Sequence, residues 1–386
     1  MKNIIDIRPT PERALLLAVA HRKSGSKQAV QNSIDELGRL AVSAGATVVR
    51  KIIQNLPVPS HESYVGKGKL EELVALQDEL HYNVIILDDE LTPNQQRNLE
   101  DALNVKVIDR AALILDIFPR RAQTHEGRLQ VELAQHQYLL PRLTGQWLHL
   151  ERLGGGIGTR GPGESQLETD RRMIRRKIQK LREQTEDVRK HRALYRQRRQ
   201  KTGIPVVALV GYTNAGKSTL LNALCEADIY ADNRLFATLD PTTRRRTLPD
   251  GRTVLFSDTV GFIRKLPPTI LDAFRATLEE LNEADLLLHV VDLSSGDAAD
   301  QCQTVEEILD ELELSDKPRL TVLNKTDRFL EESAGTPEHA GEWDEETALA
   351  YFRDQAADAD EMTVHVSAVK RWGLAALLDT IADNLR

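Results

Sequence analysis

Val206–Val210 is a short apolar run that passes directly into Gly211-Tyr212-Thr213-Asn214-Ala215-Gly216-Lys217-Ser218, and Thr219-Leu220-Leu221-Asn222 opens a helix behind it. The pattern G-x-x-x-x-G-K-[ST], set between a strand and a helix, leaves this part of the chain few possible folds. Its glycines let the backbone turn tightly enough for successive N–H groups to encircle a phosphate. The start of the helix adds its positive dipole end. The Lys217 ammonium supplies a point charge to β- and γ-phosphates. Ser218 offers the kind of hard oxygen that Mg2+ requires.

Three further motifs follow in order, each at the end of a predicted strand. Leu255-Phe256-Ser257-Asp258-Thr259-Val260-Gly261 contains D-x-x-G, with Asp258 lying 41 residues beyond Lys217. Asp258 suits a water-mediated contact to Mg2+, and the Gly261 N–H a contact to the γ-phosphate. Leu320–Leu323 leads into Asn324-Lys325-Thr326-Asp327. A carboxylate at Asp327 accepts two hydrogen bonds from the ring N–H and amine of guanine, whereas adenine would leave it unpaired. Val364-His365-Val366-Ser367-Ala368-Val369 follows a last strand, where its backbone reaches the base oxygen. Each motif is weak alone. Together they put a guanine nucleotide where α/β sheets bind ligands. A threonine should complete the Mg2+ shell when a γ-phosphate is present. Thr238, Thr242 and Thr243 are the candidates. The last two lie against a predicted hairpin, Arg244–Leu248 and Arg252–Ser257 around Pro-Asp-Gly, so Thr238 is preferred. Phe262 follows Gly261 at the position where a Gln could orient attacking water. Phe cannot, so unassisted hydrolysis should be slow.

Residues 1–120 alternate apolar runs with helical stretches: strands at Ala14–Ala20, Thr47–Ile53, Val84–Leu87 and Val105–Ile108, helices at Lys27–Ala44 and Gly68–Leu80, and a helix start at Thr92-Pro93. That alternation predicts a small α/β domain with a parallel sheet. Residues 121–202 read as helical. Leu129, Leu133, His136, Leu140, Leu143, Trp147 and Leu150 form one heptad seam, in which Pro141 should kink or break the helix. Leu167, Ile174, Leu181, Val188 and Tyr195 form a second, with Ile178 at the complementary position. Two such helices joined by a flexible link predict an antiparallel helical hairpin arm. The link, Gly154–Gly163, holds six glycines and a G-x-G-x-x-G match at Gly156, Gly158 and Gly161. No strand precedes that match, which argues against a dinucleotide site. A hinge, or a phosphate-approaching loop beside Arg160, are the two readings left. Residues 203–386 complete the chain as a C-terminal P-loop domain.

The net charge of −8 conceals an asymmetry. Arg160–Lys201 holds fifteen Lys+Arg against six Asp+Glu, a local +9 that leaves −17 elsewhere. Such a segment reads either as a solvated helix face or as a surface for a polyanion. With 41% hydrophobic and 28% charged residues the chain can build a core, which argues against wholesale disorder. Aromatics are only 4%, so aliphatic side chains should fill that core. No apolar run reaches membrane-spanning length and the N-terminus lacks a signal-like stretch. Two cysteines, Cys225 and Cys302, make neither a disulfide framework nor a metal pattern. A cytoplasmic monomer is the expectation.

The motifs resemble those of translation-factor-related P-loop GTPases. Gly154-Gly-Gly-Ile-Gly-Thr-Arg-Gly-Pro-Gly-Glu-Ser-Gln-Leu-Glu-Thr-Asp-Arg-Arg172, ahead of the P-loop domain, resembles the signature of the HflX family. That likeness implies a GTPase, with Mg2+, that binds the large ribosomal subunit and its rRNA. It also implies a role in separating stalled or idle ribosomes, notably under stress. Phe236-Ala237-Thr238-Leu239-Asp240-Pro241 resembles the nucleotide-sensing switch of the related Obg group, which again implies Thr238. Asn214 resembles the Asn of potassium-responsive GTPases, which implies K+. Family members have been associated with ATP at the N-terminal domain. Here Gly66-Lys67-Gly68-Lys69 is the one stretch to search for it. Two other classes stay open: a module that binds GTP and RNA with little hydrolysis, and a GTPase of ribosome assembly or tRNA modification.

Overall fold

A computed structural model describes residues 12–21, 26–146, 162–200, 203–225, 235–236, 239–240, 242–271, 279–334, 343–355 and 362–385. The chain forms two compact units, residues 1–120 with 132–181, and residues 121–131 with 182–386.

The first unit is built on a four-stranded parallel sheet of order β2-β1-β3-β4. β1 (Arg13–Ala20) and β3 (Val84–Leu87) are central and apolar on both faces, as strands covered by helices on either side must be. β2 (Thr47–Asn55) and β4 (Lys106–Asp109) form the edges. The crossover helices are α1 (Lys27–Ala44), α2 (Lys67–Leu80) and α3 (Pro93–Leu103). Ser26 caps α1 by accepting from the Ala29 N–H, and Gly45 ends it in the left-handed region at φ 96°. Thr92 and Gln95 make the capping box of α3, with Pro93 in its first turn. Leu15, Leu17, Leu73, Ile85, Leu87 and Leu99 are part of the core.

α4 (Arg110–Arg121) opens on a buried guanidinium. Arg110 donates to Glu36 Oε2 at 2.8 Å, to Asp88 Oδ1 at 2.8 Å and to the Ser33 carbonyl at 3.0 Å. α5 (His125–Gln146) continues through Pro141, where the sequence predicts a kink or break, so the helix is not broken there. Tertiary bonds on both sides of the proline hold it: Tyr138 Oη donates to Asp109 Oδ1 at 2.8 Å, and Arg142 donates to Asp109 Oδ2 at 3.1 Å and to the Leu91 carbonyl at 2.7 Å. These contacts offset the lost backbone bond. α6 (Pro162–Gln200) follows, with Ile178 and Leu181 buried and Lys177 paired with Glu132 at 2.8 Å. Trp147, Leu150 and the Gly-rich signature up to Gly161 lie outside the described residues.

The second unit holds a six-stranded sheet of order β10-β9-β8-β5-β7-β6. Its strands are β5 (Val206–Gly211), β6 (Thr242–Thr247), β7 (Thr253–Asp258), β8 (Leu286–Asp292), β9 (Arg319–Asn324) and β10 (Thr363–His365). All neighbours are parallel except β6, which forms the predicted antiparallel hairpin with β7. Around it lie α7 (Lys217–Cys225), α8 (Ala298–Glu311), α9 (Glu345–Gln355) and α10 (Leu374–Asn384). Aliphatic residues such as Leu209, Leu220, Leu288, Val322 and Ile381 fill the core, as the scarcity of aromatics predicts. His289 is buried on β8, and burial pushes its imidazole down to about 4.

The acidic stretch 331–361 reads from sequence as a surface insertion. Its described part instead carries a small core of its own. Leu330, Ala348 and Phe352 are buried there, with Phe329, Trp343, Tyr351 and Trp372 packed against them. Phe352 stacks on His365 with ring centroids 4.5 Å apart. Among the described residues no helix is long and apolar enough to cross a membrane.

Candidate functional site: a P-loop and three strand-end loops

The second sheet has a switch point at β5, because the chain leaves it toward β7 on one side and toward β8, β9 and β10 on the other. A crevice for ligands opens at the carboxyl ends of strands at such a point. All four predicted motifs occupy those ends: Gly211 closes β5, Asp258 closes β7, Asn324 closes β9, and Ser367 follows β10.

The phosphate loop depends on two glycines in the left-handed region. Gly211 has φ 147° and Gly216 φ 96°. A Cβ at Gly211 would collide with the Val290 carbonyl, and one at Gly216 with Asn324 Nδ2. Asn214 also takes positive φ, 63°. Between these residues the Lys217 Nζ folds back onto the Gly211 and Tyr212 carbonyls at 3.0 and 2.9 Å. Burial pushes this ammonium down to about 8, Asp258 opposes the shift, and Lys325 adds to it. A cation held in so dry a loop is suited to a phosphate counter-charge. Ser218 Oγ donates to Asp258 Oδ2 at 2.6 Å. A hydroxyl and a buried carboxylate side by side are a hard-oxygen pair that fits Mg2+ chemistry.

The D-x-x-G loop is fastened to the phosphate loop through its backbone. Thr213 N–H donates to the Phe262 carbonyl at 2.7 Å, and Phe262 N–H to the Gly211 carbonyl at 3.1 Å. A Cβ at Gly261 would stand 2.7 Å from Thr213 Cα and 2.9 Å from Lys217 Nζ, so nothing larger fits. Thr259 Oγ1 donates to the Leu209 carbonyl at 2.7 Å, which commits that hydroxyl to the sheet. Val260 is buried. Phe262 is 1% exposed, a core side chain where a water-orienting group would be wanted.

Asn324 joins three loops at once. Its Nδ2 donates to the Ala215 carbonyl at 2.9 Å and its Oδ1 accepts from the Ala368 N–H at 3.1 Å. Lys325 extends beside it, donating to the Asn214 carbonyl at 2.8 Å and pairing with Asp292 at 2.6 Å. Thr326 is buried, with its N–H 3.3 Å from the Val366 carbonyl. Asp327 follows in the first turn of a short helix. Ser367 is buried and its hydroxyl accepts from the Lys370 N–H at 3.1 Å. Val369 is 72% exposed at the end of this loop.

Of the segment Phe236–Asp240, Ala237 and Thr238 lie outside the described residues. Phe236 is buried with φ 56°, and its N–H donates to Thr213 Oγ1 at 3.0 Å. Leu239 is buried. Asp240, expected from sequence among the nucleotide contacts, instead has its carboxylate taken by residues 123 and 124 ahead of α5. Sequence reasoning missed that contact, and it missed Asp292. Asp292 left a faint signal, an acidic residue closing an apolar strand exactly as Asp258 does. The Asp240 contact spans more than a hundred residues and left none. In Gly66–Lys69 the Gly66 N–H donates to Gln54 Oε1 at 3.0 Å and Lys69 pairs with Glu72 at 2.6 Å.

Three family models match the chain. Residues 31–119 match GTP-binding GTPase N-terminal, residues 121–199 the GTP-binding GTPase Middle Region, and residues 206–325 the 50S ribosome-binding GTPase. Among curated proteins, the GTPase HflX of Caldanaerobacter subterraneus subsp. tengcongensis is 54% identical over 82% of this chain and 73% of its own length. That of Lacrimispora saccharolytica is 51% identical over 85% of this chain and 77% of its own. That of Escherichia coli K12 is 48% identical over 76% and 69%. Likeness of this extent runs through both units, and in the second unit it accompanies a phosphate loop and three strand-end loops joined to it and to one another by hydrogen bonds: the chain belongs to the HflX family of GTPases.

Proposed function

We propose that this GTPase works as a nucleotide-driven switch on the large ribosomal subunit, separating stalled or idle ribosomes, notably under stress. The observation that carries the reading is the Asn324 junction. One buried amide holds the phosphate loop and the Ser367 loop in register, so a triphosphate tail and a purine would be gripped together. In this reading Lys217 and the N–H groups of Gly211–Gly216 hold the β- and γ-phosphates. The Gly261 N–H meets the γ-phosphate. Ser218 and Thr238 would ligate Mg2+, with Asp258 reaching it through water. When bound, that ion neutralises charge developing on the phosphate oxygens. Asp327 selects guanine, with Ala368 and Val369 lining the base. Phe262 brings no polar group to the attacking water, so hydrolysis waits on a partner's contact. Ribosomal RNA fits the exposed basic face of α6, which presents Arg172, Arg175, Arg176, Lys180 and Arg182.

The test is the GTPase rate with and without purified large subunits, together with co-sedimentation in a non-hydrolysable GTP analogue. Stimulation by the subunit and binding that weakens steeply with salt are expected. A rate indifferent to large subunits, in protein that binds GTP, would refute the proposal. Release of intact seventy-S particles from the analogue-bound protein, with no splitting, would leave only a binding role.

A further inference from the structure

We propose that Asp240 is a positioning residue for GTP hydrolysis, acting through the N-terminus of α5. This rests on the reading that Thr238, two residues upstream, senses the γ-phosphate. Three donors converge on the Asp240 carboxylate: the Gln123 N–H at 2.6 Å, the Thr124 N–H at 2.9 Å and the Thr124 hydroxyl. Thr124 in turn accepts from the Gly127 N–H at 2.9 Å, the cap of α5. A helix start favours an anion there, since its unpaired N–H groups and dipole both point outward. The donors lie 116 and 117 residues from Asp240 in sequence, so this is no local turn.

Gly127 is the second, independent observation. A Cβ at that position would collide with Asp240 Oδ1. Glycine in the body of a helix costs about 1 kcal/mol relative to alanine, and less in the first turn, where Gly127 stands. The position therefore sacrifices helix stability to leave room for a carboxylate from the other end of the unit. The upstream end of the same segment is also tied down, because buried Phe236 donates to Thr213 Oγ1 of the phosphate loop at 3.0 Å. The chain is thus anchored at 236 and at 240, and only three residues separate the anchors. Those two described anchors flank Thr238 in the sequence, so cutting the Asp240 tether frees one end of the stretch and adds to the ordering entropy that a γ-phosphate must overcome.

The experiment is single-turnover GTP hydrolysis by the full-length chain carrying Asp240→Ala, Gly127→Ala, or both, with GDP affinity and thermal unfolding measured alongside. Each single variant should slow hydrolysis by more than about twofold and toward tenfold, since Asp240→Ala removes the carboxylate that accepts three hydrogen bonds and Gly127→Ala displaces it from them. GDP lacks the γ-phosphate, so its affinity should stay within about twofold. The double variant should be no slower than the slower single, because both disrupt the same carboxylate cluster. Gly127→Ala is the decisive member: its methyl would displace the Asp240 carboxylate while the acid itself is kept, and a purely structural cap would then lower stability without slowing hydrolysis. Rates within about twofold of wild type for both singles, or effects that multiply in the double variant, would overturn the proposal. Should Asp240→Ala not fold, Gly127→Ala and Thr124→Ala carry the test. Thr238→Ala is run in parallel. If it alone abolishes hydrolysis while the Asp240 and Gly127 variants hydrolyse normally, only this inference falls. If Thr238→Ala hydrolyses normally, the underlying assignment of the segment falls with it.

Discussion

Asn324→Ala removes one side chain and unties two loops. The amide is 1% exposed and uses both ends, giving a hydrogen bond to the Ala215 carbonyl and taking one from the Ala368 N–H. Truncation leaves a buried acceptor and a buried donor without partners. Each costs about 1–3 kcal/mol, so the sum is about 2–6 kcal/mol if the vacated space stays dry. Water entering the gap would bring the loss toward the lower end. Part of it should appear as lost stability of the nucleotide-free protein. The rest should appear in affinity, because a bound nucleotide demands that both loops hold position. We expect at least about 2 kcal/mol off the urea unfolding free energy and at least about a tenfold rise in the Kd for GDP, read by fluorescence titration. Asn324→Asp separates the two bonds. It keeps an acceptor for Ala368 but sets an oxygen against the Ala215 carbonyl, so the phosphate loop should suffer most. Stability and affinity both indistinguishable from wild type in Asn324→Ala would show that the junction holds nothing together.

Three further outcomes follow from the same geometry. Asp327→Asn should move base preference from guanine toward xanthine nucleotides, measured by competition; an unchanged preference would mean the base is read elsewhere. His289 has its imidazole held at about 4 against an ordinary 6.5 by burial, so its contribution to stability is complete above pH 6.5 and is lost as pH falls through about 4. His289→Leu should therefore flatten the acid limb of the stability curve, which in the wild type spans about 3 kcal/mol from this group; an unaltered limb would assign it to other residues. Arg110→Met takes the guanidinium away from the buried Asp88 and Glu36 carboxylates and should cost about 3–5 kcal/mol by chemical denaturation, with a loss under about 1 kcal/mol refuting the paired-charge account.

The elements most legible in the sequence are those whose cause is local. The periodic run Lys27–Ala44 of α1, the Thr92-Pro93 start of α3 and the four-residue apolar run of β3 each announce themselves within a few residues, and the structure begins each of them where the sequence reading does. The phosphate loop is legible for the same reason: its glycines answer to backbone geometry at one place. What was hidden depends on partners far along the chain. Pro141 looks like a helix breaker until Asp109 and Leu91 are seen to clamp its neighbours. The aromatic residues at 329, 343, 351 and 352 are too few to show a pattern and gather only in the folded unit. Asp240 reads as part of a nucleotide-contacting run because nothing nearby reveals Thr124. Phe262 reads as a missing catalytic group, and only its backbone bridge to the phosphate loop gives it a structural purpose.

The strand orders carry a consequence for life at high concentration. Each sheet ends on one side in a strand too short to recruit a neighbour, β4 with four residues and β10 with three. On the other side each ends in a longer strand with adjacent cations near its middle, Arg50-Lys51 in β2 and Arg244-Arg245-Arg246 in β6. A second copy approaching either long rim would meet like charge before it could add a strand, so sticky self-templating is discouraged at both. Replacing Arg244 and Arg245 with valine would leave the fold's interior untouched and turn that rim into a seed for aggregation.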